Sequence, residues 1–236
     1  MSPLTRHDLL TAWDMGHAQS LVDRVFLLLT AAFPGTDSSV LTALSIGERD
    51  ANLLLLRELT FGSGLVALAD CPHCGERLEI EMNTSELRQW PPTDVALSVV
   101  ASGYQVEFRL PNSADLASIR GETDIPTARR KLFENCVTNN LPALEMPEAV
   151  IDAVAAAMGQ ADPQGDIRLG MDCPACEQHW EEIFDIASYF WSEIHAWVLR
   201  ALREVHHLAS AYGWSEAEIL AMSPWRKQVY LELIGG

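Results

Sequence analysis

The chain has 236 residues, of which 48% are hydrophobic, and 33 acidic against 16 basic side chains give it a net charge of −17. This length fits one large domain or a small domain that carries an insertion, and the apolar content is sufficient for a hydrophobic core. An acidic surface repels phosphate backbones, so the composition argues against nucleic-acid binding and favours basic protein partners.

The apolar stretches predict no stable membrane insertion. The longest of them, Val25 to Phe33, contains Thr30 and is shorter than the ~20 residues that a spanning helix needs. No signal-peptide pattern follows Met1. We therefore expect a cytoplasmic chain, and in that compartment reduced cysteines bind metal more often than they form disulfides.

Residues 1–64 are predicted to form an N-terminal helical region. After a first amphipathic helix, a second should run from about Ser20 to Phe33 and end before Pro34-Gly35. Ser45-Ile46-Gly47-Glu48 matches a capping box, in which the serine and glutamate side chains each accept from the other residue's backbone amide. It opens a leucine-rich helix that should end at Gly62.

In residues 65–84, and again in residues 166–186, apolar residues recur at every second position, as in a β-strand. Each stretch contains a Cys-x-x-Cys pair, Cys71-Pro72-His73-Cys74 in the first and Cys173-Pro174-Ala175-Cys176 in the second. Strand-like runs flank both pairs, which predicts two β-hairpins with the cysteines at their turns.

The two cysteine pairs together predict one structural zinc site. Four thiolates from two tight turns suit tetrahedral zinc, which takes sulfur at about 2.3 Å. Closing the intervening loop of about 100 residues costs roughly 4 kcal/mol, less than the apparent ~10–16 kcal/mol of structural zinc. We therefore predict a split zinc ribbon whose single Zn²⁺ ion is bound by Cys71, Cys74, Cys173 and Cys176.

Other uses of the cysteines stay open at this point. Each pair could bind its own metal with help from His73 or His179. Redox use is a further alternative, although a redox pair normally lies at a helix N-terminus in a thioredoxin-like unit. The fifth cysteine, Cys136, lies in a helix-like stretch and is predicted to be a buried core thiol.

Residues 85–165 are predicted to be an inserted small α+β domain. Ser102-Gly103 should join two strands, and Gly159 to Gly165 should form a flexible return. The expected strands are 95–101 and 104–110, and the expected helices are 114–120, 126–137 and 147–158.

Residues 187–236 form the predicted C-terminal helical region. Asp185 can cap a helix that runs to about Tyr212 and stops at Gly213. A capping box at Ser215 precedes two shorter helices.

The apolar stripe of the long helix is wider than one face. Core packing alone, or core packing plus a partner interface, would explain that width. The candidate interface residues are Trp191, Trp197, Trp214 and Trp225.

The chain lacks the common catalytic motifs. It contains no dinucleotide-binding or phosphate-binding glycine loop, no His-Glu-x-x-His and no Gly-x-Ser-x-Gly. His206-His207 is read as a solvated pair, and a closed four-thiolate site leaves no position for a reactive water. We expect no catalytic residues and a protein that is not an enzyme.

The fold class that follows is α+β. Mainly helical N- and C-terminal parts are joined by the split zinc ribbon, and the small α+β domain is inserted between its two hairpins.

Two stretches resemble a known family. The first is Leu44-Ser45-Ile46-Gly47-Glu48-Arg49-Asp50, followed by a leucine-rich helix, Leu59-Thr60-Phe61-Gly62 and Cys-Pro-x-Cys-Gly. The second is the run from Ala211 to Leu220 with Ser223-Pro224-Trp225-Arg226. Both resemble the baseplate hub assembly proteins, or chaperones, of T-even-type tailed phages, with relatives in contractile, phage-tail-like injection systems. Residues 85–165 carry little of this resemblance.

The resemblance implies a non-enzymatic role as an assembly factor or minor structural component of a baseplate. The implied partners are baseplate, hub or spike proteins, without nucleic acid, and the chain would be cytoplasmic or incorporated into the particle. The alternatives are a zinc-ribbon adaptor in regulation or nucleic-acid processing, which the net charge of −17 opposes, and a redox enzyme.

Overall fold

The computed structural model describes residues 1–89, 97–140 and 146–235. These residues form an α+β fold of helices and small antiparallel hairpins, as predicted. The helices are α1 (Arg6–Gly16), α2 (Leu21–Ala32), α3 (Ser38–Ala43), α4 (Ile46–Phe61), α5 (Thr84–Leu87), α6 (Ser113–Ser118), α7 (Ile125–Cys136), α8 (Glu148–Ala161), α9 (Ile186–Tyr212), α10 (Glu216–Ala221) and α11 (Pro224–Gly235). The strands are β1 (Gly64–Asp70), β2 (Arg77–Asn83), β3 (Ser98–Ala101), β4 (Tyr104–Glu107), β5 (Arg168–Asp172) and β6 (His179–Ile183).

The main hydrophobic core lies between α1, α2, α4 and the first half of α9. Leu28, Leu53, Leu54, Phe190 and Ile194 are fully buried there. Helices from both ends of the sequence therefore share one core. Separate groups of buried side chains lie in the inserted region, around the cysteines and at the end of α9. The predicted division into four domains stays a prediction.

The predicted helix caps are confirmed. The Ser45 hydroxyl accepts from the Glu48 amide at 3.1 Å, and a Glu48 carboxylate oxygen accepts from the Ser45 amide at 2.8 Å. Asp185 caps the 27-residue helix α9, which ends at Gly213 with a left-handed φ of 72°. These ends are local, so sequence alone locates them.

The inserted region forms the predicted hairpin and three helices around its own core. Val106, Phe133 and Val150 are buried in this core. The hairpin strands are shorter than expected, and residues 95 and 96 of the predicted first strand lie outside the described residues. Cys136 is fully buried, as predicted, and burial raises the pKa of its thiol to about 11.

The return from the inserted region is not flexible, contrary to expectation. Helix α8 continues to Ala161, and a short 3-10 helix, Pro163–Gly165, packs against α4. An Asp162 carboxylate oxygen accepts from the Gly47 amide at 2.8 Å, and Gln164 is 1% exposed. The first turn of α4 therefore lies against residues more than a hundred positions away.

Asp50, on the same helix, is expected to make stability depend on pH. Burial, only partly offset by the adjacent Arg49 guanidinium, raises its pKa to about 6. The native state then binds more protons than the unfolded chain between about pH 4 and 6. This carboxyl's contribution to stability should therefore fall by roughly 3 kcal/mol as the pH rises through that range.

Urea unfolding of Asp50→Asn at pH 4 and at pH 7 tests this expectation. The variant should gain stability relative to the parent at the higher pH. Asp37→Asn is the matched control, because hydrogen bonds with Ser39 lower the pKa of that exposed carboxyl. Equal effects of Asp50→Asn at both pH values would contradict the assignment.

Candidate metal centre

The two cysteine pairs lie at the tips of two β-hairpins. In the first hairpin, β1 pairs with β2 from Gly64 opposite Asn83 to Asp70 opposite Arg77. In the second, β5 pairs with β6 from Arg168 opposite Ile183 to Asp172 opposite His179. Each Cys-x-x-Cys turn follows directly after the first strand of its hairpin, as the change in sequence periodicity predicts.

The two turns have the same backbone hydrogen bonds. In the first, the Cys71 amide donates to the Glu76 carbonyl at 2.8 Å, and the Gly75 amide donates to the Cys71 carbonyl at 2.9 Å. The corresponding distances in the second turn are 3.0 Å from the Cys173 amide to the Gln178 carbonyl and 2.9 Å from the Glu177 amide to the Cys173 carbonyl. Each turn thus presents two thiols in one fixed arrangement.

Glu177 occupies a position in the second turn that suits glycine. Its φ is +59°, and the equivalent residue of the first turn is Gly75, with φ +77°. A left-handed conformation costs an L-residue roughly 1–2 kcal/mol, and glycine avoids this penalty. Glu177→Gly should therefore raise the unfolding temperature of the protein by a few degrees. A lower melting temperature in thermal unfolding would contradict this reading.

The four thiols come together at one place. The sulfur atoms of Cys71, Cys74, Cys173 and Cys176 all lie within 4.8 Å of one another. The Sγ–Sγ distance is 3.7 Å for Cys71 and Cys176, and 3.5 Å for Cys74 and Cys173. These values are close to the edge of about 3.8 Å in a tetrahedron with 2.3 Å metal–sulfur bonds. They are far from the ~2.05 Å of a disulfide.

The thiols are electrostatically unequal. Burial opposes ionisation of Cys71, but hydrogen bonds from the Cys74 and His73 amides and from neighbouring thiols lower its pKa to about 7. The Glu76 amide favours the Cys74 thiolate, but interaction with the Cys173 thiol and burial raise the pKa of Cys74 to about 12. Ionisation of all four thiols at this spacing would need a bound cation, and metal binding would release their remaining protons.

The two histidines near the turns lie outside this cluster. His73 is exposed, and His179 Nδ1 lies 2.9 Å from an Asp172 carboxylate oxygen. Within residues 1–89, 97–140 and 146–235, the group suited to hold a metal consists of the four cysteines alone. This arrangement gives no support to two separate sites with a histidine ligand each.

Tyr189 connects the first hairpin to the helical core. Its hydroxyl accepts from the Val66 amide at 3.1 Å and donates to the Val66 carbonyl at 2.9 Å. The strand edge of β1 is thereby fixed to α9. Sequence analysis did not identify Tyr189 as a positioning residue. The tyrosine lies among other aromatic residues of α9, and nothing in its neighbouring sequence indicates a contact with the distant Val66.

Arg57 makes a second connection at the base of that hairpin. Its guanidinium donates to both carboxylate oxygens of Glu193, at 2.8 and 2.6 Å, and to the carbonyls of Gly62 and Gly64 at 2.7 and 2.5 Å. The end of α4, the start of β1 and α9 are joined by one side chain that is almost fully buried. Arg57 and Tyr189 therefore fix the first hairpin, which carries Cys71 and Cys74, to the helical core.

The four tryptophans proposed for a partner interface differ in position. Trp191 is buried in the main core, against Gly16 and beneath the Arg24 guanidinium, and this packing accounts for its place in the apolar stripe. Trp214 is half-buried and stacks on Tyr212, with ring centroids 4.4 Å apart. Trp197 is half-buried, and Trp225 is 78% exposed. A partner can reach these last two more readily than Trp191.

The fold and the cluster define a mainly helical protein with a four-cysteine centre that has the donors of a closed structural metal site. Residues 6–140 match the family of the T4 bacteriophage base plate protein, and the chain belongs to this family. No curated protein and no solved structure shows a significant match.

The family match confirms the predicted resemblance to the baseplate proteins of T-even-type phages, without the finer hub assembly role, and it has different bounds. It includes the first cysteine pair and residues 85–140 of the inserted region, where little resemblance was expected. It ends before the second cysteine pair and the C-terminal run. In the described part of the chain, no helix combines the length and apolar character required to cross a membrane.

Proposed function

We propose that this chain is a non-enzymatic hub assembly factor or minor structural component of the baseplate in a contractile, phage-tail-like particle. The observation that carries the proposal is the family match over residues 6–140, which includes helices α1, α2 and α4 of the main core, the first hairpin and part of the inserted region. The chain would act by binding other baseplate proteins.

One structural zinc ion is part of the proposal. Cys71, Cys74, Cys173 and Cys176 supply four sulfur donors at spacings that suit tetrahedral coordination. The ion would hold the two hairpins together across the intervening inserted region. Because four protein ligands complete the coordination shell, the ion would have a structural role.

The contacts that fix the first hairpin and the inserted region to the helical core favour a scaffold role. Arg57 and Tyr189 join the hairpin to α4 and α9, and Asp162 joins the inserted region to the first turn of α4. Partners would thus meet several surfaces held in fixed relation, which reduces the entropy lost on binding.

Mass spectrometry of purified, assembled particles tests this proposal. A permanent component should be present in a fixed ratio to known baseplate proteins, whereas an assembly factor should be present only in intermediates. Deletion of the gene should stop assembly at the baseplate in either case. Normal, infective or contractile particles from the deletion strain would overturn the proposal.

A further inference from the structure

A groove of about 500 Å³ lies between α9, α11 and the start of α1. Trp197, Trp225, Arg6 and Arg200 contribute to its lining. Trp225 is 78% exposed although it belongs to a helix that packs against α9. Tryptophan and arginine together on an exposed concave surface are typical of the residues that dominate protein interfaces.

The walls of the groove are fixed by polar contacts. Lys227 is buried, and its ammonium group pairs with the Glu204 carboxylate, which joins α11 to α9. The Arg6 guanidinium donates to the Met222 carbonyl at 2.9 Å, which joins α1 to the segment before α11. The groove is therefore part of the packed structure.

The groove has a charge opposite to that of the whole chain. Among the charged residues that line the groove, Lys227 neutralises Glu204. The positive charges of Arg6 and Arg200 remain, although the whole chain has a net charge of −17. In residues 1–89, 97–140 and 146–235, Arg6 and Arg200 are among the arginines that form no salt bridge, and these two both line the groove. Acidic residues outnumber basic ones 33 to 16 in the chain, so a groove whose charged lining is mainly basic favours an external anionic partner.

We propose that the groove binds an acidic segment of another baseplate protein. Its carboxylates would contact Arg6 and Arg200, and an apolar side chain would lie between Trp197 and Trp225. Arginine suits this role because its planar guanidinium can bind a carboxylate through two hydrogen bonds. This inference rests on the proposed function, which supplies the class of partner.

A short acidic segment fits the charge distribution better than an extended polyanion does. Nucleic acid or an anionic membrane would bring many negative charges against a surface that is acidic overall. A segment seated in the groove would meet mainly Arg6 and Arg200. The experiment below distinguishes these sources of negative charge.

Photo-crosslinking in cells that make the whole particle tests the inference. A tagged chain carries p-benzoylphenylalanine at position 225, and mass spectrometry maps the crosslinked segment. We expect an acidic segment of a baseplate protein. A crosslink to a basic segment, to nucleic acid, to lipid or to a second copy of this chain would overturn the inference.

The outcome without a crosslink is also decisive. If the tagged chain retains baseplate proteins and residue 225 captures none of them, the groove assignment fails and the proposed function stands. If the chain retains no baseplate protein under any condition, both fail.

Charge reversal provides a matched test of the arginine contact. Arg200→Glu should reduce the amount of retained baseplate protein at least fivefold, and Arg120→Glu should leave it unchanged. Arg120 is the control because it is also exposed and makes no salt bridge among the described residues, but it lies in the inserted region. Thermal unfolding establishes that both variants are folded. Equal retention by the two variants would contradict the proposal.

Discussion

Cys173→Ser is expected to abolish stoichiometric zinc binding and to separate the two hairpins. The substitution removes one of four sulfur donors, and serine is a poor zinc ligand at neutral pH. Structural zinc contributes an apparent ~10–16 kcal/mol in small domains, so loss of one ligand should lower the affinity by orders of magnitude. Elemental analysis of purified protein should give about one zinc per parent chain and much less than one for the variant.

His73→Ala is the matched control for this experiment. His73 lies in the first Cys-x-x-Cys turn, and its side chain is exposed. The substitution therefore changes a turn residue but leaves all four thiols in place. It should retain about one zinc per chain. Zinc loss in His73→Ala with retention in Cys173→Ser would favour separate sites and contradict a single four-cysteine centre.

The effect of zinc loss should be local. The buried side chains around the cysteines form a group distinct from the main core of α1, α2, α4 and α9. Circular dichroism should therefore show that Cys173→Ser keeps most of its helix content, while proteolysis near the hairpins becomes faster. Cooperative loss of all helical structure would mean that the metal supports the whole fold.

The features predicted correctly depend on local sequence. Ser45 and Asp185 have capping side chains next to the helices they begin, and Gly213 can adopt the left-handed conformation that ends α9. Cys71 and Cys173 begin two turns of the same type, so their convergence followed from the chemistry of one common ligand.

The missed features depend on tertiary contacts. Trp191 and Trp225 both belong to the C-terminal aromatic group, yet the first is buried because Gly16 and Arg24 lie against it. Helix α3 begins within a polar stretch that was expected to be a loop, Thr36 to Ser39, and its six residues are too few to show helical periodicity. Asp162 lies in a Gly- and Pro-rich segment that is typical of a flexible loop, and only its contact with Gly47 shows otherwise.

Gly47 also has a direct consequence for stability. A Cβ atom at this position would lie 1.6 Å from Oδ1 of Asp162, so either the carboxylate or the helix must move. The Oδ2 atom of the same carboxylate accepts from the Gly47 amide, so movement would also break a buried, charge-assisted hydrogen bond. We expect Gly47→Ala to lower the free energy of unfolding by roughly 2–4 kcal/mol.

A second helical glycine provides the control for this expectation. A Cβ atom at Gly159 in α8 would have no neighbour within 4 Å apart from its own stretch of helix. Gly159→Ala should therefore raise the stability by about 0.5–1 kcal/mol, as alanine does in helix interiors. Urea unfolding of both variants should show a lower free energy of unfolding for Gly47→Ala and a higher one for Gly159→Ala.

A double-mutant cycle assigns the loss in Gly47→Ala to the Asp162 contact. In an Asp162→Ala background the clash disappears, so the added methyl group should become neutral or mildly stabilising. If Gly47→Ala costs as much in that background as in the parent, the loss comes from elsewhere in the first turn of α4. The packing of the inserted region against α4 would then not depend on the contact between Gly47 and Asp162. The other outcome is an interaction free energy from the cycle that equals the loss of unfolding free energy in Gly47→Ala alone. Gly47, which lies in the stretch that resembles the baseplate family, would then be required for docking the inserted region onto the helical core.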